Sequence, residues 1–509
     1  MNRTVVFVHG WSVRSTETYG RLPERLVREA RERGDTLDAR NLWLSRYVSF
    51  RDEVRLADLS RAFAAAVERE LGDLVARGER FACITHSTGG PVVRDWWYRY
   101  HLAPDSAPPC PMSHLVMLAP ANFGSALAQL GKARLGRIKA WFQGVEPGAG
   151  VLDWLELGSP ESFALNRAWI EMPDDVIERS GVLPFVLTGQ TIDAKLYDHV
   201  NAYTGEPGSD GVVRVAAANL NATYVRLEQE PIGLVDGEPR APELVAAAVE
   251  DAPPTAFKIV PGRSHSGRDL GILRSVMNDG RPHPTVDAVM ACLSVTSTAQ
   301  YDALRDRFAR ENVAVQEQER TRVHDRVLLP DTVTFTDRYA MVVFRVLDDT
   351  GQLIGNFDLK LTATSPADPA RPASPDLLPR GFFGDRQRNR RHPGTLSFFL
   401  NADVMRGSPE IPHPDHPDRV IRPALPGAPA LGIVLEPHAA EGFVHFLGAG
   451  LTAKEATLAR VVTPNQTTLV DIVMRRVVRE GVFLMDRDSE RSDRDFSKDD
   501  PGPPLLAGD

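Results

Sequence analysis

The chain has 509 residues, of which 42% are hydrophobic and 25% charged, so it can build the cores of two or three globular domains. Its net charge is −9 and it contains no long basic tract, which argues against a nucleic-acid partner. The cysteines Cys83, Cys110 and Cys292 lack the spacing of a metal site or a disulfide framework, so the sequence predicts a reducing compartment.

The N-terminus begins like a strand and not like a targeting signal. The apolar run Thr4–Val8 is too short for the core of a signal peptide, and no stretch approaches the ~20 apolar residues of a membrane span. We therefore expect a soluble protein made in the cytoplasm, whose export would need a route independent of such a signal.

Strands and helices alternate through the first part of the chain. The predicted elements are strand 4–8, helix 15–33, helix 57–77, strand 81–85, strand 114–119, then, after an interruption, strands 183–187, 223–227 and 257–260 and a helix over 270–293. This alternation predicts a doubly wound, mostly parallel sheet covered on both faces, with the ligand site at the carboxyl ends of the strands.

A serine lies at one of these strand ends. The run Thr85-His86-Ser87-Thr88-Gly89-Gly90 follows an apolar strand, and Pro91 after it is a favoured first residue of a helix. A serine at the apex of a strand–turn–helix is held clear of its own backbone, and the turn needs small neighbours. His86 is expected to pack beside the turn. The motif favours Ser87 as a nucleophile, although an ordinary turn in which Ser87 caps the helix remains an alternative.

The sheet pattern is interrupted from residue 125 to about residue 175. Apolar residues, among them Leu130, Leu135, Trp141 and Phe142, alternate there with lysine and arginine, which predicts a basic amphipathic segment. An insertion after a strand is where a lid over a site would lie. A plain packing helix with a solvated basic face fits the pattern equally well, and a lid that touches a membrane is a special case of the first interpretation.

Two later loops supply partners for a serine nucleophile, which needs a base and a carboxylate to orient that base. Asp210 lies in a loop between predicted strands, and His265 follows the last predicted strand in a loop rich in glycine and serine. In doubly wound hydrolases the order along the chain is serine, acid, histidine, and these residues occur in that order. Asp193 and Asp198 remain alternatives for the acid.

An oxyanion intermediate needs two N–H donors. One candidate is the backbone amide of Thr88, directly after the serine. The other comes from the loop after the first strand, where His9 precedes Gly10 and Trp11, and the amide of Trp11 is preferred to that of Gly10.

The pattern changes after residue 295. A charged helical connector is predicted over 296–325, and then strands follow without intervening helices at 333–335, 339–346, 353–361, 395–400, 431–435, 444–447 and 468–474. These strands predict an all-β, sandwich-like accessory domain over 326–485, followed by a disordered tail over 486–509. Within the predicted β domain, the loop 380–391 combines phenylalanine with arginine, a composition that fits either a contact with an anionic surface or a solvated loop.

Four motifs together resemble the α/β-hydrolase superfamily on its lipase/esterase side. They are Val8-His9-Gly10-Trp11, His86-Ser87-Thr88-Gly89-Gly90, Ser209-Asp210-Gly211-Val212-Val213 and Ser264-His265-Ser266-Gly267. The second motif and Asn122-Phe123-Gly124-Ser125 are similar to bacterial lipases and to the GPI inositol-deacylase branch. The resemblance covers about residues 1–295, and Thr85 departs from it because a glycine is usual there.

The resemblance implies a serine hydrolase of carboxylic esters, and the apolar insertion favours lipid esters. Ser87 would attack the ester, His265 would transfer protons and Asp210 would orient His265, through an acyl-enzyme and without cofactor or metal. An acyltransferase or thioesterase with the same triad is an alternative, as is an exported lipase effector or docking protein whose β domain carries recognition. Membrane contact through the insertion or the β domain is left open, and the oligomeric state is not predicted.

The choice of Asp210 as the acid can be tested by substitution. Asp210→Asn should lower kcat for a short-chain ester by roughly 10⁴-fold and His265→Ala by roughly 10⁶-fold, since the acid only orients the base. Asp198→Asn is the control and should leave kcat near the wild-type value. A larger loss in Asp198→Asn than in Asp210→Asn would show that the acid was assigned to the wrong loop.

Overall fold

The computed structural model describes residues 2–9, 19–47, 53–103, 109–129, 148–192, 206–231, 234–235, 238–239, 242–324, 332–363, 374–413, 415–428, 430–438, 444–453 and 460–478. Several predicted features lie outside these residues. They are Gly10 and Trp11, the alternative acids Asp193 and Asp198, the segment with Leu130, Leu135, Trp141 and Phe142, and the tail 486–509.

The strands are bounded as follows. They are β1 Asn2–His9, β2 Thr36–Trp43, β3 Phe81–His86, β4 Met112–Leu118, β5 Leu183–Thr188, β6 Ala222–Gln229, β7 Leu234–Val235, β8 Glu238–Pro239, β9 Leu244–Asp251, β10 Ala256–Ile259, β11 Thr321–His324, β12 Thr332–Phe335, β13 Tyr339–Asp348, β14 Phe357–Thr362, β15 Phe383–Arg388, β16 Thr395–Asn401, β17 Ile411–Pro412, β18 Val420–Arg422, β19 Leu431–Pro437, β20 Val444–His445, β21 Ala449–Ala453, β22 Thr467–Met474 and β23 Val477–Val478.

The helices are α1 Leu22–Glu32, α2 Leu56–Ala76, α3 Gly89–Trp97, α4 Ala126–Gln129, α5 Ala149–Leu155, α6 Pro160–Ile170, α7 Val176–Ser180, α8 Val215–Ala218, α9 Pro284–Leu293, α10 Thr298–Gln318 and α11 Ala402–Arg406. Within the described ranges, no helix has the length and apolar character needed to cross a membrane.

The first sheet has six parallel strands in the order β10-β5-β4-β3-β1-β2. Its central strands are almost wholly apolar and buried, as expected for a sheet covered on both faces. Helix α2 packs with α3, and α1 packs with α9. The carboxyl ends of β3, β5 and β10 therefore meet at one edge, where Ser87 and His265 follow their strands.

The second part of the chain is a β domain of two packed sheets. One has the order β15-β16-β13-β22-β6-β9, and the other has the order β14-β19-β21. On β13, Val342 and Phe344 belong to the core between these two sheets, whereas Met341 and Val343 belong to the core of the first domain. The larger sheet is thus buried on both faces, and the β-sandwich packs against the first domain through α6, which contacts β6, and α8, which contacts β13.

The larger sheet contains strands from before residue 295. Strand β6 was predicted to continue the first sheet, but residues 222–228 pair in parallel with 467–473 of β22. The pairing partner lies far along the chain, so no local pattern in residues 223–227 could indicate it. Strand β9, which the sequence analysis did not identify, pairs antiparallel with β6 at the end of this sheet.

Two predicted helices are shorter than expected. The helix predicted over 270–293 is α9, which begins at Pro284, and residues 264–283 before it form turns. The helix predicted over 15–33 is described from Leu22, with Pro23 in its first turn.

Helix α10 covers the edge of the first sheet. The Tyr301 hydroxyl donates to the Pro184 carbonyl oxygen at 2.7 Å. The Asn312 side chain accepts from the Ile259 amide at 2.7 Å and donates to the Phe257 carbonyl oxygen at 2.9 Å, so it brackets β10. These side chains provide hydrogen-bond partners for backbone groups of the edge strand β10 and of its neighbour β5.

Most arginines of the loop 380–391 contact either the first domain or other residues of the β domain. Arg388 donates to the carbonyl oxygens of Gly355, Pro393 and Phe357. Arg390 pairs with Glu156, and Arg391 pairs with Asp153 of α5. Arg390 and Arg391 thus join the β domain to residues 153–156 of the first domain.

The shared sheet leads to an expectation for a truncated chain. A chain of residues 1–325 would leave β6 without β22 and expose the apolar face that β13 covers, so it should not unfold cooperatively on heating. The measurement is differential scanning calorimetry with limited proteolysis, and a chain that ends at residue 485 is the control. A cooperative transition in the 1–325 chain would indicate that the first domain folds without the larger sheet.

Candidate active site

Ser87 lies in a strained turn between β3 and α3. Its φ is 52°, in the left-handed region that a residue with a side chain rarely adopts. The turn is tied to the neighbouring strand, because the Ser87 amide donates to the Leu118 carbonyl oxygen at 3.0 Å and the Ala121 amide donates to the Ser87 carbonyl oxygen at 3.3 Å. This geometry is that of a nucleophile elbow.

The close approach of other residues explains the glycines of the motif. A Cβ on Gly90 would lie 2.7 Å from the Cβ of Pro120, and one on Gly89 would lie 3.3 Å from the Cβ of Thr85. Thr85 is fully buried, and its hydroxyl has no hydrogen-bond partner among the described residues. The threonine is therefore accommodated where a glycine is usual because its neighbour Gly89 has no side chain.

The structure brings Ser87, His265 and Asp210 together in one chain of hydrogen bonds. His265 Nε2 lies 3.1 Å from Ser87 Oγ, and His265 Nδ1 lies 2.9 Å from Asp210 Oδ2. The side chains of His265 and Asp210 are buried, and that of Ser87 is 7% exposed. With Nδ1–H donating to the carboxylate, Nε2 is left to accept the serine proton.

The second oxygen of Asp210 is held by the backbone. Oδ1 accepts from the Val212 amide at 3.0 Å and from the Val213 amide at 2.7 Å. The His265 amide donates to the Asp210 carbonyl oxygen at 2.9 Å, so main chain and side chain of the two residues are both joined. These contacts compensate the fully buried carboxylate for lost hydration and fix its orientation.

The loop before His265 is held by residues that the sequence analysis missed. Glu319, one residue beyond α10, accepts from the Gly262 amide at 2.6 Å and from the Gln190 side chain at 2.7 Å. The Thr191 amide donates to the Arg263 carbonyl oxygen at 3.0 Å. Glu319 is an ordinary acidic residue at a helix end, so nothing in the sequence around it indicates this contact.

His86 packs against His265. The two ring centroids are 4.8 Å apart, and His86 Nε2 donates to the His265 carbonyl oxygen at 3.3 Å. Loss of hydration lowers the pKa of His86 well below 6.5, and the nearby His265 lowers that pKa further. His86 is therefore neutral beside His265 at physiological pH.

The oxyanion candidates are only partly described. The Thr88 amide lies directly before α3, where N–H groups have no partner within the helix. Gly10 and Trp11 lie outside the described residues, and His9 is described only as the last residue of β1. In the described part of the chain, no group of three or more His, Cys, Asp or Glu residues is placed to hold a metal ion, and the cysteines are free and buried.

The parallel sheet, the strained serine turn and the adjoining β domain define an α/β-hydrolase with a C-terminal β domain. No protein-family model and no curated protein sequence matches the chain. The chain is, however, similar to two solved structures of phospholipase PlaB from Legionella pneumophila. One, a complex with thio-NAD, is 38% identical over 96% of this chain and 97% of that chain, with a TM-score of 0.79. The other is 39% identical over 96% of both chains, with a TM-score of 0.80.

The chain belongs to the family of this phospholipase, and it is a carboxylic ester hydrolase that acts on lipid esters. The similarity spans both domains, whereas the sequence motifs pointed to residues 1–295 alone. The relation to the GPI inositol-deacylase branch stays a prediction.

The depressed pKa of His86 has a consequence for stability. Because the folded-state pKa lies below the unfolded value of 6.5, the contribution to stability is fully present above pH 6.5 and is lost as the pH falls below it. His86→Gln retains a side-chain N–H donor but cannot take up this proton. Urea unfolding at pH 7.5 and pH 5.0 should therefore show a smaller loss of stability in the variant than in the wild type. Equal losses would mean that His86 is already hydrated or charged in the native protein.

Proposed function

We propose that this protein is a serine phospholipase in which Ser87, His265 and Asp210 form the catalytic triad. The observation that carries the proposal is the continuous hydrogen-bonded chain from Ser87 Oγ to the buried Asp210 carboxylate, with Ser87 in a left-handed turn. A buried carboxylate that aligns a histidine with a strained serine has the geometry of an activated nucleophile.

Each group has one role in the reaction. As Ser87 Oγ attacks the ester carbonyl carbon, its proton passes to His265 Nε2, and Asp210 stabilises the imidazolium through Nδ1–H. His265 then gives the proton to the departing alcohol, which leaves an acyl-enzyme. A water molecule, deprotonated by His265, attacks the acyl carbonyl and releases the fatty acid and Ser87.

The negative charge of each tetrahedral intermediate needs donors that are already in place. The Thr88 amide supports this role because it adjoins the nucleophile at the start of α3. We assign the second donor to the amide of Trp11, with Gly10 as the alternative.

Phospholipid is the proposed substrate because the identity with the phospholipase PlaB extends over both domains. The acyl acceptor, water, distinguishes this reaction from that of an acyltransferase, and the oxygen ester cleaved in the acyl donor distinguishes it from that of a thioesterase. We propose that the insertion or the β domain contacts the lipid surface, a role that a basic amphipathic segment in the insertion would suit.

The first test is labelling with a fluorophosphonate, which reacts with activated serines. The wild type should be labelled, and Ser87→Ala should lose both labelling and at least ~10⁴-fold in kcat for a short-chain ester while keeping its melting temperature. Ser294→Ala is the matched control, since the Ser294 hydroxyl only donates to the Met290 carbonyl oxygen at the end of α9.

The substrate is tested on the same variants with phospholipid vesicles. Release of fatty acid by the wild type and not by Ser87→Ala is the expected result. A folded wild type that is neither labelled nor active on any ester would overturn the proposal. Transfer of the acyl group to an added alcohol in preference to water would favour the acyltransferase.

A further inference from the structure

The turn that carries Asp210 is closed by hydrogen bonds within it. The Asp210 amide donates to the Val213 carbonyl oxygen at 3.1 Å, and the Val215 amide donates to the Gly208 carbonyl oxygen at 2.9 Å. These bonds fix the shape of the turn. Its place relative to His265 is held by the His265 amide, which donates to the Asp210 carbonyl oxygen, and by the surface on which the turn packs.

Arg214 connects the end of this turn to the β domain. Its guanidinium donates to Glu206 through Nε at 3.0 Å and through Nη2 at 2.7 Å, and Nη2 also donates to Asp385 of β15. The guanidinium carbon lies 4.2 Å from the centroid of the Phe399 ring on β16. The side chain is 2% exposed, so it is enclosed by carboxylates of two different domains and an aromatic ring.

The aromatic side of this contact is rigid. Phe399 stacks on Tyr339 of β13, with centroids 4.5 Å apart and an angle of 14° between the rings. Gly208, with a φ of 74°, lies so close that a Cβ would be 2.8 Å from the Tyr339 ring. The turn thus rests directly on two strands of the larger sheet.

The charge of Arg214 is retained in this buried place. Burial lowers its pKa, but Glu206 and Asp385 together outweigh burial and raise the pKa above the usual value. A buried cation that loses one of two carboxylates is poorly compensated, so removing the charge of Asp385 should let the turn shift or admit water.

We propose that Arg214 and Asp385 are positioning residues for Asp210, through which the β domain sets the orientation of His265. This inference rests on the proposed function, because the place of Asp210 matters to turnover only if Asp210 orients His265. The β domain then contributes to hydrolysis of every ester, including soluble ones, and not only to contact with lipid surfaces.

The first test is Asp385→Asn, which keeps the volume and one acceptor oxygen but removes the charge. For a soluble short-chain ester, kcat should fall about 10- to 100-fold with little change in KM, since only the alignment of the triad is disturbed. Asp403→Asn is the matched control. Asp403 of α11 accepts from Arg338 in the same domain, away from the β22–β6 contact, so its loss should lower the melting temperature at least as much but leave kcat unchanged.

A double-mutant cycle with Asp210→Asn separates positioning from a general loss of stability. If Asp385 acts through Asp210, then Asp385→Asn should lower kcat in the wild type but hardly at all in the Asp210→Asn background. If Asp385→Asn lowered kcat by the same factor in both backgrounds, or in neither, this inference would be overturned while the proposed function stood. If Asp210→Asn itself leaves kcat unchanged, the acid assignment of the proposed function fails, and this inference fails with it.

The second variant is Arg214→Lys, which keeps the charge but not the two-sided contact. In the wild type it should lower kcat at least as much as Asp385→Asn does. In the Asp210→Asn background it should hardly change kcat. A wild-type kcat in a folded Arg214→Lys protein would also overturn the inference.

Discussion

The parallel pairing of β22 with β6 is the contact on which the arrangement of the site depends. The segment that carries Asp210 leaves the first sheet at β5 and enters the larger sheet at β6, whereas His265 follows β10 in the first sheet. The hydrogen bond between His265 and Asp210 therefore crosses from one sheet's loops to the other's. Residues of both sheets share one apolar core, so the packing of the two sheets helps to place these loops relative to each other.

Buried polar side chains near the serine turn also connect the segment after Ser87 to the segment after Asp210. Arg94 of α3 donates to Asn122 at 3.2 Å and to Asn166 of α6 at 3.0 Å, and Asn122 donates to the Ala218 carbonyl oxygen of α8 at 2.7 Å. Burial lowers the pKa of Arg94 to about 9, so it remains a cation at neutral pH. The helix after Ser87 is thereby bonded to the helix after Asp210. Asn122, noted in the sequence only for its resemblance to other lipases, has a structural role here.

The parts of the fold that the sequence predicts are those with local signals. The turn around Ser87 and the strand before it follow from the apolar run and the glycines, and the order of Ser87, Asp210 and His265 along the chain matches their meeting in space. The assignment of β6 to its sheet could not be predicted, because its partner β22 is far away in the chain. The roles of Arg214 and Glu319 could not be predicted for the same reason, because each depends on a partner far away in the sequence.

The late position of β22 has a consequence for synthesis of the protein. The ribosome synthesises the strands of the parallel sheet and the loop with His265 well before it synthesises β22, the strand that pairs with β6. Domains generally fold from the N-terminus during synthesis, and long-range pairings form slowly. Until β22 is made, the nascent chain thus carries Ser87 and His265 without the sheet on which the turn with Asp210 packs. The turn with Asp210 can therefore take its final place beside His265 only after residues 467–474 have been synthesised and have paired with β6.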